Sequence, residues 1–232
     1  LDRMLIHSDV EVWTTGSLWA EALAHALAPS RPTFDRWMSE AVQAGKLRKL
    51  RAGIFLNAAG NTNVSPAAAA GLIRRSAVPS LSWVLEQHWI LNNFGDVITC
   101  TVPMAPGLQV PNVSAVKTPY GSFQFRALPW RVHELDSLPV EDWRDHHFAH
   151  PRATPEKAFC DWLYLGQSPR SSLRAPPLDL EFGKFNKARL RRIVGAMALK
   201  PVFDAWLLKQ QAYAADPDVQ ANASLRAMPA LP

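Results

Sequence analysis

The chain has 232 residues, 48% hydrophobic and 19% charged, with nine tryptophans, a composition that excludes a disordered chain and calls for packed cores. Its formal charge of +5 is only mildly basic, so any attraction to an acidic partner depends on where the cations cluster. Cys100 and Cys160 are the only cysteines, which excludes a disulfide scaffold, and no apolar run reaches the roughly 18 residues of a membrane-spanning helix. Leu1 to Val12 lacks the basic start and apolar middle of a signal peptide, and with the sparse cysteines this leads to an expected cytoplasmic location.

In chain order, Ser17 to Ala28 places Leu18, Ala22, Leu23 and Leu27 at helical spacing. This predicts a helix capped by Thr15 or Ser17 and ended by Pro29. Phe34, Trp37, Met38, Ala41 and Val42 then fall at the i, i+3, i+4, i+7, i+8 positions of a helix that buries one face. Ser30 suits its N-cap, Pro32 its first turn, and Gly45 the left-handed residue beyond its end. Lys46 to Arg51 and Ile54 to Leu56 flank Ala52-Gly53, which reads as a β-hairpin. The small polar run Ala58 to Asn63 marks a domain boundary.

The rest is mixed. Helices are predicted over Pro66 to Arg75, over Pro79 to Asn92 with Ser80 or Ser82 as cap, and from Thr154-Pro155 to about Leu165. Asp96 to Val102 reads as a strand, and Val113 to Thr118 with Ser122 to Leu128 as a hairpin around Pro119-Tyr120. Ser168 to Asp179 reads as a loop. Phe185 to Leu199 is a predicted helix with Leu190, Ile193, Val194 and Met197 in the core. Pro201 interrupts it before a last helix, Val202 to Ala212. The expected fold is α+β: a winged helix-turn-helix over 1–62, a mixed α/β domain over 63–212, and a mobile tail over 213–232.

A helix-turn-helix buries one face of its second helix and lays the other in the major groove of DNA. The free face here offers Arg31, Thr33, Arg36, Ser39, Glu40 and Gln43, with Arg31, Thr33 and Arg36 nearest the helix start, where base and phosphate contacts concentrate. Lys46, Arg48, Lys49 and Arg51 lie within six residues, and no acid occurs from Gln43 to Asn57. Placed on a wing, Arg48, Lys49 and Arg51 would meet phosphates and release condensed counterions. The expected DNA contacts are therefore Arg31, Thr33, Arg36, Arg48, Lys49 and Arg51.

The segments VWTTGSLWAEAL and PTFDRWMSEAVQAGKLRKLRAGIFLN, the later SLSWVLEQHWI, and ATPEKAFCDWLYLG from Ala153 to Gly166 together resemble AbiE-type antitoxins, the transcriptional regulators of type IV toxin–antitoxin systems. Gly45 to Phe55 is similar to the stretch that closes the winged helix in that family, and Ala153 to Lys157 to its recurrent helix start. The resemblance implies a repressor that binds inverted repeats in double-stranded operator DNA ahead of its own operon. It also implies a functional partner, a nucleotidyltransferase-type toxin, counteracted without need of a stable complex. Phe159 and Trp162 stand where the family often carries smaller aliphatics.

Two other readings compete. Helix–helix–hairpin modules also serve as protein-docking units that never touch DNA. A nuclease carboxylate–lysine pair of Glu156 and Lys157 with Asp96 is weakened because neighbouring helix positions point about 100° apart; a helix cap, with Thr154 at the N-cap and Pro155 at N1, suits these residues better. Asp142, His146, His147 and His150 form the histidine cluster, with no cysteine and no second motif to complete a metal site. Lys184, Lys187, Arg189, Arg191 and Arg192 flank the predicted core of their helix as a solvated face or a second nucleic-acid surface. No enzyme activity, cofactor or metal is expected.

Overall fold

A computed structural model describes residues 1–60, 64–92, 95–105, 107, 111–145, 150–169 and 171–220. Its helices are α1 (Asp2–Ile6), α2 (Thr15–Ala24), α3 (Arg31–Gln43), α4 (Ala70–Ile73), α5 (Leu81–Gln87), α6 (Trp130–Glu134), α7 (Val140–Trp143), α8 (Pro155–Gln167), α9 (Lys187–Ala196) and α10 (Lys200–Ala214). Its strands are β1 (Val12–Thr14), β2 (Leu47–Arg51), β3 (Ile54–Asn57), β4 (Val78–Pro79), β5 (Val97–Met104), β6 (Val116–Thr118), β7 (Gly121–Pro129), β8 (Arg144–Asp145) and β9 (Arg152–Ala153). The fold is α+β with several small sheets. Of the tail expected to be mobile, 221–232 lies outside the described residues, and α10 extends to Ala214 with Pro201 inside its first turn.

The chain divides into two compact units. One holds Leu1–Pro79, Gly95–His133 and Asp145–Arg152, the other Ser80–Phe94, Glu134–Arg144 and Ala153–Pro232.

In the first unit, β1, β3 and β2 form an antiparallel sheet in that order. One face meets α2 and α3 in a core of Leu5, Trp13, Leu18, Ala22, Phe34, Ala41, Leu47 and Phe55. Apolar spacing drives this arrangement: Phe34 and Ala41 are buried on α3, and Trp37, Met38 and Val42 pack around them. Leu23 and Leu27, expected on the buried stripe of α2, are 51% and 40% exposed. The helix has already ended at Ala24, so Leu27 leaves the helical register.

Asn57 ties the sheet to the start of the chain. Its Nδ2 donates to the carbonyls of Leu5 at 3.0 Å and Val10 at 3.1 Å, and its Oδ1 accepts from the Ala59 amide. Asn57→Ala would leave the Val10 carbonyl without its donor, while the Leu5 carbonyl keeps a 3.4 Å bond from the Ser8 amide. Such a loss costs about 1–3 kcal/mol, and urea unfolding of the full chain should show a loss of that size.

The same unit contains a second sheet, β4-β5-β7-β6, in which β5 and β7 run parallel and β6 closes a hairpin onto β7. Alternation buries Ile98, Cys100 and Val102 on β5 beside Phe123 and Phe125 on β7. Gly121 opens β7 at φ +128°, and a Cβ there would stand 3.0 Å from the Asp96 carbonyl, so the turn demands glycine.

The second unit is built around α8. Thr154 caps it, accepting from the Lys157 amide at 3.4 Å while its hydroxyl donates to the Asp142 carbonyl at 2.7 Å, and Pro155 follows at N1. Phe159 is fully buried among Phe182, Phe185, Phe203 and Trp206. The expected core positions of α9, Leu190, Ile193, Val194 and Met197, are all buried. Ser80 sits at the N-cap of α5, yet its hydroxyl donates to Asp161 Oδ2 at 2.8 Å and makes no cap bond.

Candidate nucleic-acid interface

The turn from α2 into α3 is specified by short polar side chains. Thr14 and Ser17 cap α2 reciprocally, each side chain accepting from the other's amide at 2.9 Å. Ser30 caps α3, accepting from the Thr33 amide at 3.4 Å. Gly45, at φ +72°, lets the chain turn out of α3 into β2, with the Lys46 amide bonding back to the Ala41 carbonyl at 2.9 Å.

Around α3, Arg36 lies about 160° from buried Phe34, with Thr33, Glu40 and Gln43 within about 60° of it; all four are exposed. Among the described residues the side chains of Arg36, Glu40 and Gln43 make no hydrogen bond or ion pair. Thr33 shares a 3.0 Å hydrogen bond with the Ser30 hydroxyl, so it belongs partly to the cap.

Arg31 stands elsewhere. It is about 140° around the helix from Arg36, its Nε donates to Asp35 Oδ1 at 2.8 Å, and its guanidinium lies 5.6 Å from the ring centroids of both Trp19 and Phe34. It therefore packs α2 against α3. The residues expected to act together at the helix start separate into Arg36 on the open face and Arg31 over the aromatic seam.

A β-bulge interrupts the hairpin. Lys49 pairs with Phe55 and Arg51 with Ile54, which makes Leu50 the extra residue. Leu47 and Leu50 can then both be buried, while Arg48 is half-buried and Lys49 and Arg51 are exposed. Among the described residues none of the three cations has an ion-pair partner. The fourth cation of the run is spent: Lys46 pairs with Asp2, which also accepts from Trp37 Nε1 at 2.9 Å. The Lys46 hydrogen bond, then the Trp37 N–H, hold the Asp2 carboxyl below its ordinary range. This bridge fastens α1 to the end of α3 and the root of β2. Neither α1 nor the Asp2 latch was legible as part of this surface, since Asp2 and Lys46 are 44 residues apart.

Other expected constellations serve packing. Arg189 and Arg192 of the basic flank of α9 are bound to Glu156 and Asp142, and Lys184 donates to the Trp89 carbonyl at 2.5 Å. Lys187 and Arg191 remain as the cations of that helix with no ion-pair partner among the described residues. Glu156 also accepts from the Asn186 amide at 2.7 Å, and Lys157 pairs with Asp161, so Glu156 and Lys157 face different partners. His150 Nδ1 stands 3.0 Å from Glu11 Oε2; His146 and His147 lie outside the described residues. Among the described residues, no group of three or more His, Cys, Asp or Glu is placed to hold a metal ion. Cys100 and Cys160 are buried and free, with burial raising both thiols. Burial also pushes the Glu86 carboxyl up to about 7. Among the described residues, no helix is long and apolar enough to cross a membrane.

The sequence matches no known protein-family model, and no curated protein matches it.

Proposed function

We propose that this chain is a DNA-binding transcriptional regulator whose first sixty or so residues act as a winged helix-turn-helix, with α3 entering the major groove and the β2–β3 hairpin meeting the flanking phosphates. The order helix–strand–helix–helix–hairpin and the antiparallel sheet that carries the hairpin suit that role. The observation that carries the reading is the set of three cations unpaired among the described residues, Arg48, Lys49 and Arg51, following directly on a helix whose Arg36, Glu40 and Gln43 are likewise unbonded among them. Cations without a protein partner are available to displace counterions from DNA.

The resemblance to AbiE-type antitoxins extends the proposal to an autorepressor that acts on inverted repeats upstream of its own operon and counteracts a nucleotidyltransferase-type toxin. Binding of the full chain to duplex DNA from upstream of its own gene tests it. A preference for that duplex over an unrelated one of equal length is expected. Equal, weak binding to both would overturn the regulator reading and favour a protein-docking role for the same module.

A further inference from the structure

The open face of α3 carries one acid. Glu40 is exposed, without a hydrogen bond or ion pair among the described residues, and sits four positions after Arg36. With the cation N-terminal to the acid, this spacing is the weaker orientation for a helical ion pair, in keeping with the lack of a bond between them. On a surface that must approach phosphates, an unpaired carboxylate opposes binding by like-charge repulsion. A carboxylate only accepts hydrogen bonds, and the donors on the floor of the major groove are the amino groups of cytosine and adenine. Arg36 only donates, and the acceptor pair that fits its fork is O6 and N7 of guanine. The helix's other arginine, Arg31, is held by Asp35 and the Trp19 and Phe34 rings.

We infer that Arg36 and Glu40 form a donor–acceptor reader for G·C pairs, Arg36 taking guanine and Glu40 the amino group of cytosine, so that the preferred DNA carries G·C pairs where α3 enters the groove. The inference rests on the DNA-binding reading above. Glu40 works partly by exclusion: a duplex that offers no amino donor at its position leaves the carboxylate unpaired against the groove, which lowers affinity for unrelated DNA. Arg31 is a positioning residue that sets α3 against α2.

The test is enrichment of a randomised duplex library by the full chain and by two variants, E40Q and R36A, followed by affinity measurements on the winning duplexes. Both positions are exposed and, among the described residues, unpaired, so the variants should fold, which circular dichroism checks. Wild type should enrich a motif with neighbouring guanine and cytosine preferences. Glu40→Gln should lose the cytosine preference, shift toward adenine, whose N6 and N7 glutamine can bond, and bind unrelated duplex more tightly. R36A should lose the guanine preference at the adjacent position. Each lost contact should cost roughly ten- to hundredfold in discrimination. An E40Q motif identical to the wild-type one, enriched as strongly, would overturn the inference and leave DNA binding standing. No duplex bound by wild type would overturn both.

Discussion

Replacing Asp161 with alanine is expected to destabilise the chain by about 3–5 kcal/mol, because it strands a buried ammonium. Asp161 is 1% exposed; its Oδ1 pairs with Lys157 and its Oδ2 accepts from Ser80 Oγ at 2.8 Å. Lys157 is itself only 2% exposed. Replacing both members with apolar residues, as in the Lys157→Met, Asp161→Leu double variant, removes the charge along with its partner. That pair should recover most of the loss, since a buried ion pair contributes little net stability over well-packed apolar side chains. Urea unfolding followed by tryptophan fluorescence reads both effects. A D161A variant within about 1 kcal/mol of wild type would contradict burial of the pair, given typical costs for a stranded charge.

The second large effect is Phe159→Ala, also expected to cost about 3–5 kcal/mol. Phe159 has no exposed surface and sits at the centre of an aromatic cluster: its ring centroid is 4.8 Å from Trp206, 5.2 Å from Phe185 and 6.4 Å from Phe203, with the Trp206 and Phe203 rings edge-on. The cluster joins α8 to α10 and to the segment before α9. Trp206 is fixed on its far side by a 2.9 Å hydrogen bond from Nε1 to the Pro176 carbonyl, so it cannot swing in to fill the void. Phe159→Leu, which retains most of the volume, should lose far less, and thermal unfolding of the two variants side by side gives the comparison. Equal losses would mean that retained volume does not rescue the cluster and that the aromatic ring itself carries the stabilisation.

How legible these elements were in the sequence depended on whether their determinants were local. The end of α3 could be read because Gly45 supplies the left-handed residue that a helix exit requires. Three other helices end by the same device at residues that give no such signal: Ala26 at φ +50°, Trp89 at +56° and Ala198 at +52°. Their returning bonds, Leu27 to Ala22, Ile90 to Leu85 and Leu199 to Val194, stop α2, α5 and α9 short of the predicted Ala28, Asn92 and Leu199. Strand β1 was missed because three residues carry no periodicity, and its partner β3 lies about forty positions away. The parallel pairing of β5 with β7 is equally non-local.

The candidate interface divides in the same way. The cation cluster on β2 is visible because the residues are consecutive, but the bulge at Leu50 that shifts the register between Lys49 and Arg51 is not. Arg36 and Arg31 look equivalent until Trp19, on another helix, claims Arg31. The basic flank of α9 looked available because the acids that bind Arg189 and Arg192, Glu156 and Asp142, lie 33 and 50 positions away.

The most direct measurement is the affinity of the full chain for duplex DNA across a salt titration, beside a variant with Arg48, Lys49 and Arg51 all changed to alanine. None of the three has a protein partner to lose among the described residues, so the variant should fold as wild type does. Each phosphate contact contributes about 0.9 to the slope of log affinity against log salt, so the variant's slope should be shallower by about 2 to 3. A wild type that binds with a steep slope and a variant that binds weakly with a shallow one is the expected result. Superimposable titrations would contradict contact between the hairpin and DNA.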